Sequence, residues 1–152
     1  MGMFCFQCQE TAGGKGCTVK GVCGKAEEVA NLQDLLIYVL KGISDVVVKG
    51  KLDIKTIENI NHELTNSLFM TITNANFDPE AIEEKIRKML SLRDNLRQQV
   101  KADNLHDAAT FELKTKEEMI EKSRSVGVLS ILPEDIRSLK EMIKYGLKGM
   151  AA

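Results

Sequence analysis

No sign of charge dominates this sequence: 21 lysines and arginines face 22 aspartates and glutamates, for a formal net charge of −1. Without a basic excess nothing argues for nucleic acid, and without a long single-sign run there is no charged tail. Long apolar runs are missing too, and none nears the roughly 20 residues of a membrane-crossing helix. The N-terminus lacks the apolar stretch of a signal peptide. These absences predict a cytoplasmic protein with no nucleic-acid or membrane partner. Histidine is scarce, with His62 and His106 alone, and a lone histidine is more often a surface or capping residue than a ligand. Cysteine is missing from everything after Cys23.

What is present sits at the N-terminus. Residues 1–25 hold Cys5, Cys8, Cys17 and Cys23, together with six of the eleven glycines, and show no helical period. A secreted scaffold would spread its bridges through the fold, whereas cytoplasmic thiols are kept reduced. Four thiols in one short glycine-rich segment therefore point to metal ligands. Their spacing is Cys-x2-Cys-x8-Cys-x5-Cys. A Cys-x2-Cys pair puts two thiolates on one tight turn, and the glycines after it let the segment fold back to bring up Cys17 and Cys23. Iron–sulfur clusters take four thiolates. Structural zinc does so as well, commonly as two short pairs, and here the second pair is spread to Cys-x5-Cys. On spacing alone, an iron–sulfur cluster and zinc both stay open, with disulfides or free thiols as a third reading.

After Lys25 the pattern turns helical. Val29, Leu32, Leu36, Leu40, Ile43 and Val47 form one stripe on a helix from about Glu27 to Val48. A second helix follows Asp53, with Ile57, Ile60, Leu64 and Leu68 on one face. Asp78-Pro79 is a helix start, an N-cap aspartate followed by proline at the first helical position. The third helix carries Ile82, Ile86, Met89, Leu92, Leu96 and Val100. The expectation is an all-α protein: a cluster-binding loop over 1–25, an antiparallel three-helix bundle over 26–101, and a polar connection with a short helix at 102–132. Residues 133–152 would form the first helix of a second bundle.

The last helix repeats the first. Asn31 to Ser44 aligns with Ser138 to Ala151, with Leu32/Leu139, Tyr38/Tyr145, Leu40/Leu147, Lys41/Lys148 and Gly42/Gly149 identical. A shared Tyr-x-Leu-Lys-Gly is harder to obtain from amphipathicity alone, so a duplicated bundle is expected, its second copy cut short. Leu147 and Met150 would then lack partners, leaving an apolar face open to self-association.

The segment from Met3-Phe-Cys-Phe-Gln-Cys through Gly-Gly-Lys-Gly-Cys to Gly-Val-Cys-Gly-Lys25 resembles the start of the hybrid cluster proteins, also called prismane proteins or hydroxylamine reductases. The likeness continues through Leu32-Gln-Asp-Leu-Leu36, Thr73-Asn-Ala-Asn-Phe-Asp78 and Ser138 to Ala152. The resemblance implies an N-terminal helical domain with a cubane cluster on Cys5, Cys8, Cys17 and Cys23, in the spacing of the branch that holds [4Fe–4S]. It also implies two three-helix bundles in the longer members. Full-length members reduce hydroxylamine to ammonia, and nitric oxide reduction is also attributed to them, at a second cluster of iron, sulfur and oxygen ligated from later domains. This chain has no cysteine to ligate such a cluster. The resemblance therefore implies an electron-transfer domain without catalytic residues of its own, served by an electron-donor protein and completed by the remaining domains of a parent enzyme. A zinc-stabilised structural or interaction domain is the alternative. Phe4 and Phe6 bracket Cys5 and are expected to shield the cluster, while Glu10 and Lys15 read as solvated loop charges.

Overall fold

Helix α1, Glu27–Gly50, is the axis on which the other elements are arranged. In the computed structural model, which describes residues 2–152, it is followed by α2 (Ile54–Met70), α3 (Pro79–Gln99), α4 (Asp107–Thr110), α5 (Lys116–Ser125) and α6 (Glu134–Ala151). Met1, the first residue of the loop expected over 1–25, lies outside the described residues. Among those residues there is no β-strand, only an isolated bridge between Cys5 and Cys17. The protein is all-α.

Local chemistry sets most boundaries. Lys51 adopts a left-handed conformation that ends α1, and Asp53 caps α2 by accepting from the Thr56 amide at 3.0 Å. Asp78 accepts from the amides of Glu80 and Ala81 while Pro79 opens α3. Thr115 and Glu118 form a reciprocal capping box at the start of α5.

The core is one cluster built around α1. Val29, Leu32, Leu36, Leu40 and Ile43 are buried as their period requires, and Ile82, Ile86, Met89 and Leu96 of α3 meet them. Leu35, Val39 and Val46, off that stripe, are equally buried. The reason is that α3 covers one side of α1 while α4 and α5 cover another.

The segment expected to be a polar connection contributes to this core. Ala108 and Ala109 of α4 are fully buried, and Leu105, Phe111 and Leu113 pack beside them. Arg93 organises them from inside. Its guanidinium donates to the Ala108 carbonyl at 3.1 Å and the Phe111 carbonyl at 2.6 Å, lies 4.6 Å from the Phe111 ring, and pairs with Asp94 at 2.8 Å. A fully buried cation with every partner in place is a strong geometric constraint on the chain it holds. His106 caps α4 by accepting from the Ala108 amide, and His62 lies exposed on α2 beside Asn66.

Helix α6 packs on α2 and on the Val128–Ser130 turn. Lys148 is its one buried residue, whereas Ile136, Leu139, Met142, Ile143, Leu147 and Met150 face outward.

Candidate metal centre

The cysteine loop is pinned to α1 by a small apolar cluster of Met3, Cys17 and Ala30, with Cys5 packed against it. Cys5 and Cys17 are brought face to face. The Cys5 amide donates to the Cys17 carbonyl at 3.0 Å, and the Cys17 amide donates back to the Cys5 carbonyl at 2.9 Å. Buried Thr11 closes the pair, donating to the Cys5 carbonyl at 3.2 Å with its hydroxyl 3.7 Å from the Cys17 sulfur.

Two glycines make the fold-back possible. Gly16 has φ 123°, and the Phe4 ring stands where its Cβ would be. At Gly21 a Cβ would lie 3.1 Å from the Cys23 sulfur and 3.0 Å from the Lys25 side chain. A side chain at Gly16 would be strained by its backbone and would displace the Phe4 ring, while one at Gly21 would press on Cys23 and Lys25.

All four cysteines are free thiols, with Cys17 buried, Cys5 and Cys8 half-buried, and Cys23 exposed. Cys17 is thus the interior cysteine, Cys5 packs against it half-buried as Cys8 is, and Cys23 stands at the surface. Among the described residues, no three His, Cys, Asp or Glu side chains stand close enough together to hold a metal ion without adjustment. The amides of Ala12 and Val22 hold the Cys17 thiol below its usual value, while burial pushes the Cys5 thiol up despite the opposing charge of Lys25. Amides directed at a sulfur stabilise its thiolate, which is the form that binds metal. The donor set is therefore four soft thiol ligands in a loop whose backbone already serves one of them, and it fits a thiolate-ligated metal or iron–sulfur cluster.

Phe4 is half-buried and covers Gly16 next to Cys17. Phe6 is 43% exposed and offers its carbonyl, not its ring, to the rest of the fold. Of the two phenylalanines expected to flank the centre, Phe4 packs over the loop at Gly16 and Phe6 is largely exposed. Glu10 and Lys15 are exposed.

Around the loop lies a polar cradle that spacing does not single out. Lys25 is buried and donates to Gln33 Oε1 at 2.7 Å, and Gln33 Nε2 donates to the Asn76 carbonyl at 3.2 Å. Gln7 Oε1 accepts from the Thr73 amide at 3.2 Å and from Lys148 Nζ at 3.0 Å. Lys148 also donates to the Thr71 carbonyl at 3.0 Å, and Tyr145 donates to the Phe6 carbonyl at 2.6 Å. The cysteine loop is thus held by α1, by the 71–76 turn and by α6. The only sequence signal for the last of these is the recurrence of Tyr-x-Leu-Lys-Gly.

A family model described as Prismane/CO dehydrogenase family matches residues 3–152. Similar proteins are the hydroxylamine reductases of Acetivibrio thermocellus, 64% identical over 152 residues, and of Clostridium perfringens, 51% identical over 159 residues. The Bacteroides thetaiotaomicron hydroxylamine reductase is 51% identical over 152 residues. Each alignment takes in all of this chain but only 28%, 29% and 28% of the respective relative. The chain spans less than a third of the length of the curated relatives it matches.

Proposed function

The chain belongs to the Prismane/CO dehydrogenase family, and from that premise we propose that it is an electron-transfer domain holding a [4Fe–4S] cluster on Cys5, Cys8, Cys17 and Cys23. The observation that carries this reading is the reciprocal backbone pairing of Cys5 with buried Cys17, whose thiol the Ala12 and Val22 amides hold below its usual value. Cluster potentials are set by such hydrogen bonds and by burial. When bound, the cluster supplies one-electron storage. The chain's own residues do the rest. Cys5 and Cys17 anchor the interior side, and Phe4 keeps water from it. Exposed Cys23 and half-buried Cys8 are the side an electron-donor protein would approach.

A cytoplasmic location fits this role, and among the described residues no helix is long and apolar enough to cross a membrane. In a protein of the relatives' length, the electron would pass to a hybrid iron–sulfur–oxygen site in later domains, where hydroxylamine would be reduced. Catalysis itself would need residues this chain does not contain.

The test is the iron, acid-labile sulfide and zinc content of anaerobically purified protein, with its visible spectrum before and after reduction. Close to four irons and four sulfides per chain, with absorption that bleaches on reduction, is the expected result. Stoichiometric zinc without sulfide would overturn electron transfer in favour of a zinc-stabilised structural domain.

A further inference from the structure

Two lysines beside the cysteine loop are buried as few lysines are. Lys25 is 1% exposed and Lys148 5% exposed. Among the described residues neither forms an ion pair with a carboxylate. Their partners are neutral dipoles: Gln33 Oε1 for Lys25, and Gln7 Oε1 and the Thr71 carbonyl for Lys148. A carbonyl dipole satisfies a donor but does not cancel a charge, and buried ammonium groups are normally paired. An uncompensated one is expensive.

The surroundings point to where the missing anion belongs. Lys25 follows Cys23 by two residues, and its side chain and the Cys23 sulfur flank Gly21 on the same side. The Lys25 charge is felt at both Cys5 and Cys17. Lys148 reaches the loop from α6, at Gln7, which lies between Cys5 and Cys8. One carboxylate competes: half-buried Asp34 feels the charges of Lys144 and Lys148 but is ion-paired to neither, and Lys144 is engaged by Glu141 at 2.5 Å. Asp34 offsets part of the Lys148 charge and forms no ion pair with Lys25.

We infer that Lys25 and Lys148 are the built-in counter-charges to the negative group formed when the four thiolates bind their metal, and that α6 is docked on the loop to deliver one of them. Four thiolates around a doubly positive metal ion or cluster core leave two net negative charges. Two buried cations balance that group, and in a low-dielectric setting they favour whichever state carries more negative charge. For a redox cluster that is the reduced state. The two lysines are positioning residues and touch no reacting atom.

This inference rests on the thiolate-ligation reading, and its test has one arm that does not need iron. The variants are Lys25→Met and Lys148→Met, which keep length and remove charge, with Lys148→Arg as the charge-retaining control. In the first arm, cobalt(II) is titrated into the reduced, metal-free full chain and followed by thiolate charge-transfer absorption. Each Met variant is expected to bind about tenfold more weakly, and Lys148→Arg to bind like the parent. In the second arm the midpoint potential of the iron–sulfur form is measured. Each Met variant is expected to need about a tenfold larger reductant-to-oxidant ratio at half-reduction, a shift of about 59 mV to lower potential for one electron. Unchanged cobalt affinity and unchanged potential, in variants with parental circular dichroism, overturn the inference. Should Lys25→Met not fold, Lys148→Met against Lys148→Arg decides alone. A chain that binds zinc but builds no cluster removes the electron-transfer reading, while the cobalt arm still decides the role of the lysines.

Discussion

Helices α1 and α6 carry the same motif in opposite surroundings. Leu32 is 1% exposed and its counterpart Leu139 is 61% exposed. A Cβ on Gly42 would run into the Ala108 backbone, whereas one on Gly149 would meet nothing within 4 Å. Tyr38 donates to Asp107 of α4 at 2.6 Å, and Tyr145 donates to the Phe6 carbonyl at 2.6 Å on the cysteine loop. Lys41 is exposed while Lys148 is buried. The same sequence is thus used once as a core and once as a strap: its apolar positions count in α1 and its polar ones in α6. An amphipathic pattern specifies a face to be covered but does not specify what covers it.

The widest gap between the copies should appear when matched apolar residues are truncated. Leu32→Ala is expected to cost about 3 kcal/mol, the usual penalty for a cavity in a filled core. Leu139→Ala should stay within about 0.5 kcal/mol, as for most surface changes. Paired denaturant melts of the two variants check this, and equal losses would mean that α6 is as deeply packed in solution as α1. Next in size is the glycine pair. Gly42→Ala forces α1 and α4 apart and should cost about 2 kcal/mol, while Gly149→Ala should be neutral or stabilise by a few tenths, since alanine favours a helix over glycine. If Gly42→Ala melted like the parent, the close approach of α4 to α1 would be wrong.

Much of this organisation is legible in the sequence. The long helices are, because Ile82, Ile86, Met89 and their like repeat at the helical period, and because Asp53 and Asp78-Pro79 are chemical start signals. The four cysteines mark the candidate centre by crowding alone. Helix α4 is not legible: Asp107-Ala-Ala-Thr110 has no stripe, and its place depends on a guanidinium 15 residues earlier in the chain, Arg93, reaching the Ala108 carbonyl. The docking of α6 on the loop is hidden for the same reason. It rests on a tyrosine hydroxyl and a lysine ammonium meeting acceptors 139 and 141 residues away. Periodicity reports which residues leave water and carries no information about single polar contacts between distant segments.

A pH comparison probes the polar side of the repeat, where Asp34 of α1 aligns with Glu141 of α6. Burial pushes the Asp34 carboxyl up to about 6, against the pull of Lys144 and Lys148. A carboxyl whose folded value exceeds its unfolded one binds more protons when folded. Its contribution is therefore present at acid pH and is lost as pH rises from about 4 to about 6, by at most about 1.4 kcal/mol per pH unit. Glu63 works in the reverse sense. Hydrogen bonds from Lys88 and Lys85 hold it down to about 2, so its contribution is present above its unfolded value and fades as pH falls through that range. The difference between parent and Asp34→Asn isolates the first effect: the parent should lose stability relative to the variant across pH 4 to 6, measured by urea midpoints. Parallel profiles would place Asp34 in water.

The smallest effect concerns the uncovered face of α6. Leu139, Met142, Ile143 and Met150 are all more than 60% exposed on a single helix, and contiguous apolar surface of this kind draws partners. In the chain on its own, the surface available to match it is the same face of a second copy, which predicts weak self-association at high concentration. Sedimentation equilibrium should show a dimer that Leu139→Lys with Met142→Lys returns to monomer, without a shift in melting. A monomer at every concentration would mean that the charged flanks of α6 outweigh its apolar stripe. Charge is the reason to expect weakness: Lys140, Glu141, Lys144 and Lys148 share the helix with the stripe, and of these only Lys148 is committed to the cysteine loop. Surface ion pairs at the rim of such a stripe add at most about 1 kcal/mol each. Association would therefore be driven by apolar area and be insensitive to salt, and a strong salt dependence of the dimer would shift the explanation from the stripe to its rim.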